Sequence, residues 1–478
     1  MITLRNLPEP RLLFANGEHV CPRRGIAEFG VYDMVGRTRR SEVLCGGVGT
    51  GNCLEALSEW VLRCKSAIRH EEGADANRHP NLHPPFCGMT TGLGFDVTLS
   101  FAADLARPIK ESEIKEIERI EEMSKRHAQA VELYYDHVKF LAQNRHVDVI
   151  VCVVPEPLFK ALASQNKVSL EPTLDEDGAE PVGELNFRRA IKARCMHLGK
   201  PLQLVREKSL GAHVRGQQND ATKAWNFCTA LYYKSGPTVP WKLVGDSSRG
   251  SMCAVGIAFY RSRDFRTLST SLAQIFDELG NGLILRGTPV DLDKDNLRPY
   301  MTDQQAFDLL SAALQEYHTA MGNYPARLVL HKSSRFRPEE IDGFSRAADA
   351  AHVNTTDFLR VSDSRLRLYR NGNYPPYRGT LMSIDPIHHV LYSRGSVPWY
   401  QTYPGLYVPQ PLELQIERSD ESPQQIAREL LGLTKMNWNN TQFDGKYPVT
   451  LGSARKVGEI LKYLGESERP QSRYAFYM

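Results

Sequence analysis

Two stretches, CAVGIAFY from Cys253 to Tyr260 and ARLVLHKSS from Ala326 to Ser334, decide how this chain folds. Both read as buried strands that end at an edge where chemistry collects. In folds that cleave phosphodiesters, aspartates at neighbouring strand ends hold two divalent ions that activate water and stabilise the leaving oxygen. Here the corresponding positions carry Ala258 and Ser333, and neither side chain holds a metal. The chain reads as a nucleic-acid-processing scaffold that has given up its chemistry and kept recognition.

Around these strands the pattern is α/β throughout. AWNFCTALYYKSG reads as a helix ending at Gly236, and Asp303 to about Met321 reads as a second helix leading into LVLHK. RLRLYRNG and YRGTLMSID read as strands joined by a turn at Asn371-Gly372. The polar stretch LGAHVRGQQNDATK marks a boundary, giving domains at 1–222 and 223–478. In the first domain EVLCGGVGT and GFDVTLSFAA read as strands between turns. From Glu111 to about Asn144 there is no Gly or Pro, and Ile114, Ile117, Ile120, Val131, Tyr134, Val138 and Leu141 mark one apolar helix face. VDVIVCVVPEP, continuous and closed by Pro155, has the signature of a central parallel strand.

At 478 residues the chain exceeds a single comfortable core. Lys and Arg number 59 against 56 Asp and Glu, so no global field announces nucleic acid and any such binding rests on local patches. Nine cysteines occur singly with no CxxC pair, which argues against a disulfide framework and a structural zinc site and for a reducing cytoplasm. The N-terminus lacks a signal pattern, and no run of about 18 apolar residues is present to span a membrane.

The glycines of CGGVGTGN (Gly46, Gly47, Gly49, Gly51) sit between a strand and a helix, but no Lys-Ser/Thr follows and the spacing is not a dinucleotide fingerprint. A tight turn without ligand is favoured. Arg188 and Lys192 lie four apart on one helical face, and Gln203 follows on a strand. Two cations on a helix plus a nearby amide suit a terminal phosphate, which needs charge and directional donors. The pair suits a solvated helix face equally well. Between Arg360 and Arg378, five arginines (Arg360, Arg365, Arg367, Arg370, Arg378) meet one acid, Asp363, with Tyr369, Tyr374 and Tyr377 interleaved. Such a strip suits phosphate-backbone contact with aromatic support, or a wet sheet edge. His318, His331, His388 and His389 have no metal-ligand spacing.

Four segments occur in order and match beyond composition: AWNFCTALYYKSGPTVPWKL; CAVGIAFYRS with SLAQIFDELGNGLILRG; ARLVLHKSSRFRPEEIDGF; and LLGLTKMNWNN through PVTLGSARKVGEILKYL to YAFYM. They closely resemble the PIWI domain of Argonaute proteins. The first domain resembles the MID domain, at PRRGIAEFGVYD and VDVIVCVVP. The resemblance implies a Rossmann-like MID domain followed by an RNase H-like PIWI domain, as in a short prokaryotic Argonaute without N and PAZ domains. Carried over by position, Arg188, Lys192, Gln203 and Lys234 match the pocket for a guide 5′ phosphate, with Arg188 where Tyr or His is commoner. A neighbouring lysine is replaced by Ala230, for which Lys223 is a candidate substitute. The Met478 carboxylate is expected in the same pocket, helping to hold Mg²⁺ at the phosphate.

The three catalytic positions of the PIWI pattern hold Ala258, Ser333 and Arg455, so a two-metal clamp is not expected. Inactive short Argonautes work with an APAZ-containing partner fused to a sirtuin-like or TIR NADase. The resemblance therefore implies a cytoplasmic heterodimer in antiviral defence. In it guide RNA pairs with invading single-stranded DNA and NAD depletion causes abortive infection, the sirtuin-like effector being expected over TIR. Nothing in this chain has an NAD-binding pattern. The rival reading is a nuclease using other carboxylates, such as Asp246, Asp264 or Asp277.

Overall fold

The computed structural model of the protein describes residues 2–36, 39–70, 74–90, 92–163, 182–211, 218–236, 239–245, 251–262, 268–276, 282–292, 299–372, 375–405, 407–465 and 468–478. Within them lie two main sheets. The first holds β2 (Glu42–Gly49), β3 (Thr98–Ser100), β4 (Ala106–Pro108), β5 (Val149–Val154) and β6 (Leu202–Arg206), all parallel, in the order β3-β2-β5-β6 with β4 also on β2. All six residues of β5 are buried, because helices cover both faces. Ile150, Cys152 and Val154 join one core with Ile114, Tyr134 and Ile191. Val149, Val151 and Val153 face the other with Leu57, Trp60 and Trp225. Alternation along one apolar strand thus feeds two cores.

The expected helix from Glu111 to Asn144 is two, α2 (Glu111–Glu118) and α3 (Met123–Asn144). Arg126 holds the break, its Nε donating to the Ile120 carbonyl at 2.8 Å and its Nη1 to that of Ala161 at 2.6 Å. No glycine or proline marks it, so periodicity runs straight through.

The second sheet has nine strands among the described residues. Its parallel centre is β7 (Met252–Arg261), β10 (Arg327–Lys332) and β11 (Thr355–Asp363), as the two quoted stretches require. β8 (Leu268–Phe276) and β9 (Gly282–Pro289) extend one side antiparallel. On the other side follow β14 (Leu412–Arg418), β13 (His388–Leu391) and β12 (Thr380–Ser383). The last strand is β1 (Thr3–Asn6), paired with β12.

The N-terminal strand β1 lies on the second sheet. Glu9, just beyond it, meets two cations that are fully enclosed, Lys435 at 2.8 Å and Arg378 at 3.1 Å. Burial alone would raise the Glu9 pKa, but Arg378 and Lys435 outweigh it and hold the carboxyl below its ordinary value. Helix α5 (Asp220–Ser235) puts Ala224, Trp225 and Cys228 into the same core as Val149 and Val151, so it packs on the first sheet. The polar stretch chosen as boundary lies partly outside the described residues, at 212–217.

RLRLYRNG is not a strand. Its backbone is held by side chains instead, the Leu366 amide donating to Ser364 Oγ at 3.1 Å and the Leu368 amide to the Tyr392 hydroxyl at 2.7 Å. Helix α8 (Val449–Leu461) lies across β7 so closely that a Cβ on Gly256 would sit 2.1 Å from the Thr450 carbonyl oxygen. Only glycine admits that approach. Beside it, His331 Nδ1 and Thr450 Oγ1 are 2.8 Å apart, fully buried. Desolvation, helped by the charge of Arg327, pushes the His331 pKa down to about 3 from 6.5.

Unfolded chains take up a proton on this histidine below about pH 6.5, whereas the folded state refuses it until about 3. Stability is therefore full above 6.5 and falls with acidification, at up to about 1.4 kcal/mol per pH unit from this group. In urea unfolding between pH 6.5 and 4.5, His331→Asn is expected to show a shallower pH slope than the native chain. Identical slopes would rule His331 out as the source.

Candidate nucleic-acid interface

Four elements bring the cation and amide candidates together. α4 (Val182–Cys195) carries Arg188 and Lys192 one turn apart, and β6 offers Gln203 beside Val151 of β5. The last turn of α5 supplies Lys234, and a 3₁₀ turn at Tyr474–Phe476 delivers Met478. Lys234 Nζ donates to the Met478 main-chain oxygen at 3.0 Å, to Gln203 Oε1 at 2.5 Å and to the Leu202 carbonyl at 3.1 Å. Lys192 Nζ donates to the same Met478 oxygen. Lys192, Lys234 and Met478 are all buried. Next to them Arg189 of α4 pairs with Glu459 of α8 at 2.6 Å, so this cradle sits where the two sheets meet.

Lys223 does not belong to it. It lies 11 residues before Lys234 on α5, about 16 Å along the helix. Its ammonium pairs with Asp220 at 2.7 Å, a carboxylate also held by Arg63 at 2.6 Å. Ala230, one turn before Lys234, is buried and brings no charge. The Met478 main-chain oxygen accepts from two ammonium groups and Gln203 Oε1 from one.

Of the three positions read as degenerate, two lie level with each other at central strands of the second sheet and the third on α8, the helix that crosses them. Register pairs Ile257 with Lys332, which sets Ala258 level with Ser333, one residue past β10. Ala258 is buried, in a core shared with Ala454 of α8. Arg455 of α8 stacks over the Tyr447 ring at 4.2 Å, and the Tyr447 hydroxyl bonds Asp363, which Lys446 pairs at 2.9 Å. This arginine–tyrosine–aspartate–lysine chain was missed by sequence reasoning, which weighed Arg455 only for what it replaces. Asp246, Asp264 and Asp277 lie outside the described residues.

The arginine strip divides. Arg365 and Arg367 are exposed, Arg370 lies 3.6 Å over the Tyr377 ring, and Arg360 bonds Gln415 at 3.0 Å on the sheet. Arg378 leaves the strip: besides Glu9 it donates to the Leu431 carbonyl at 3.2 Å and Thr434 Oγ1 at 2.9 Å, inside the protein. It has no face for a nucleic-acid backbone. Tyr374 lies outside the described residues. No described helix is long and apolar enough to cross a membrane.

No protein-family model matches the chain, and no curated protein matches it in sequence. Solved structures do match in fold. One is Clostridium butyricum Argonaute bound to a guide DNA and a 19-mer target DNA, 15% identical with a TM-score of 0.65, over 98% of this chain and 54% of that one. Another is Drosophila Piwi, 14% identical with a TM-score of 0.61, over 99% of this chain and 56% of that one. Marinitoga piezophila Argonaute in complex with 5′ OH guide RNA is 13% identical with a TM-score of 0.55, over 99% and 59%. The chain thus spans a little over half the length of these proteins. It has the α/β fold of the MID and PIWI halves of Argonaute and Piwi proteins.

Proposed function

We propose that this chain binds the 5′ end of a small guide RNA where its two sheets meet, and uses the guide to recognise complementary single-stranded DNA without cutting it. One observation carries the reading: Lys192, Lys234, Gln203 and the Met478 oxygen, distant in sequence, converge in a buried polar cradle. Two ammonium groups and an amide are a donor set for a terminal phosphate, which competes for the lysines with the Met478 oxygen already there. The lack of cutting rests on Ala258, Ser333 and Arg455. Near Arg455, Asp363 is engaged by Lys446 and Tyr447, so the charges offered are cationic ones, which a phosphate backbone accepts and a divalent ion does not.

In the same reading the chain is the sensor subunit of a prokaryotic defence heterodimer. An APAZ-containing partner with a sirtuin-like NADase supplies the output, depleting NAD when target is bound.

Lys192→Ala combined with Gln203→Ala is expected to abolish guide loading. Each charge-assisted contact is worth about 1.5–3 kcal/mol, so binding weakens well over tenfold. Lys223→Ala, outside the cradle, leaves loading unchanged. Small RNA copurifying in native amount with the double variant would remove the cradle from the account.

A second experiment separates sensing from cutting. The loaded chain, coexpressed with its genomic neighbour, is given matched single-stranded DNA with Mg²⁺ or Mn²⁺. The expected outcome is intact DNA and falling NAD, with neither change for a scrambled target. A guide-positioned cut would establish the nuclease instead, and NAD loss independent of the target sequence would end the sensor reading.

A further inference from the structure

Residues 364–410 hold seven of the chain's 20 tyrosines, five arginines, no lysine and one acid, Asp385. Part of this stretch closes around a groove of about 780 Å³ whose walls include Arg370, Tyr377, Gln401, Tyr403, Tyr407 and Val408. Large apolar surface is left open there: Tyr407 is 66% exposed, Val408 57% and Tyr377 37%, with Tyr369 at 76% next to Arg370 in sequence. The Arg370 guanidinium lies over the Tyr377 ring at 3.6 Å. These side chains stand on a held backbone. Arg367 donates to the Ser364 and Leu366 carbonyls at 2.8 and 2.9 Å, and the Tyr403 hydroxyl donates to the Tyr407 carbonyl at 2.7 Å.

We propose that this groove binds unpaired nucleotides of single-stranded nucleic acid, with bases stacking on Tyr377 and Tyr407 and phosphate meeting Arg370, the exposed Arg365 and Arg367 preceding it in the chain. With Arg378 turned inside, Arg365, Arg367 and Arg370 still outnumber the one acid of the stretch, which favours a polyanion. The exposed rings narrow the choice further. A duplex keeps its base faces against one another and offers only backbone, so open tyrosine rings have use only for bases outside a paired stretch. An acidic peptide would satisfy the arginines and leave the rings idle, and an apolar peptide would do the reverse. This narrows the strip from phosphate-backbone contact in general to contact with single strand. The inference rests on the guide-binding reading for its setting, since the nucleotides concerned flank the paired part of a target. Its ligand is defined without a guide.

The test has two arms. In the first, labelled oligothymidylate of about 12 nucleotides is titrated into the purified chain without guide, followed by fluorescence anisotropy. Tyr377→Ala with Tyr407→Ala is expected to weaken binding about tenfold or more, while Tyr377→Phe with Tyr407→Phe retains it, because the ring and not the hydroxyl stacks. Equal binding by the native and alanine forms overturns the proposal, and is the outcome expected if a protein subunit covers the groove. In the second arm, loaded chain binds matched DNA with or without unpaired flanks. Flanks are expected to raise affinity in the native chain and not in the alanine variant. Where the loaded chain binds matched DNA, a gain that persists in the variant, or no gain from the flanks, overturns the proposal. Tyrosine-dependent oligothymidylate binding together with absent guided binding supports the groove and fails the guide reading alone.

Discussion

Two buried ammonium groups share one main-chain oxygen, and the geometry of the candidate site follows from that. An ammonium ion taken out of water costs several kcal/mol unless its protons find acceptors. Lys234 meets this with the Leu202 carbonyl, the Gln203 amide and the Met478 oxygen, and Lys192 closes on the same oxygen from α4. None of these four contacts is local in sequence. Together they hold β6 and two helices of the first sheet to the C-terminal segment, and Arg189 on Glu459 repeats the tie one step away. The cradle and the strand bearing Ala258 are thus parts of one packed body, sharing a core that includes Val149, Ala258 and Met478.

What the sequence made legible was whatever is local or fully buried. The all-apolar β5, the parallel pair β7 and β10, the helix closing at Gly236 and that from Asp303 to Met321 are where periodicity puts them. The pairing of Lys192 and Gln203 with Lys234 was readable only because charge type and resemblance agreed. Long-range choices left no local trace. β1 pairs with a strand beginning at Thr380, and nothing in TLRN says so. Arg378 looks like its neighbours in sequence yet lies inside, because Glu9 comes to meet it. Lys223 lies apart from the cradle for a geometric reason: eleven residues return to the same helix face but travel about 16 Å along it. The break after α2 escaped notice because a side chain, Arg126, makes it rather than a glycine or proline.

The reading that unites these features treats the second sheet as a platform whose chemistry has been exchanged for charge. In that reading Arg455 replaces one of the carboxylates a metal clamp would need, with Lys446 nearby on Asp363, and the groove lined by Arg370, Tyr377 and Tyr407 extends the proposed nucleic-acid surface. Sequence discrimination then comes from base pairing with a bound strand, and the protein contributes position and charge. Such a molecule reports on its target only through something bound to it, which is why a partner with its own activity belongs to the proposal.

The central claim is that the cradle at Lys192, Gln203, Lys234 and Met478 receives the 5′ phosphate of a guide. It is tested most directly by titrating the purified chain with two RNAs of identical sequence, one 5′-phosphorylated and one 5′-hydroxyl. The account predicts that the phosphorylated strand binds at least about tenfold tighter, since the phosphate gains charge-assisted contacts the hydroxyl lacks. Equal affinity for the two strands would contradict it.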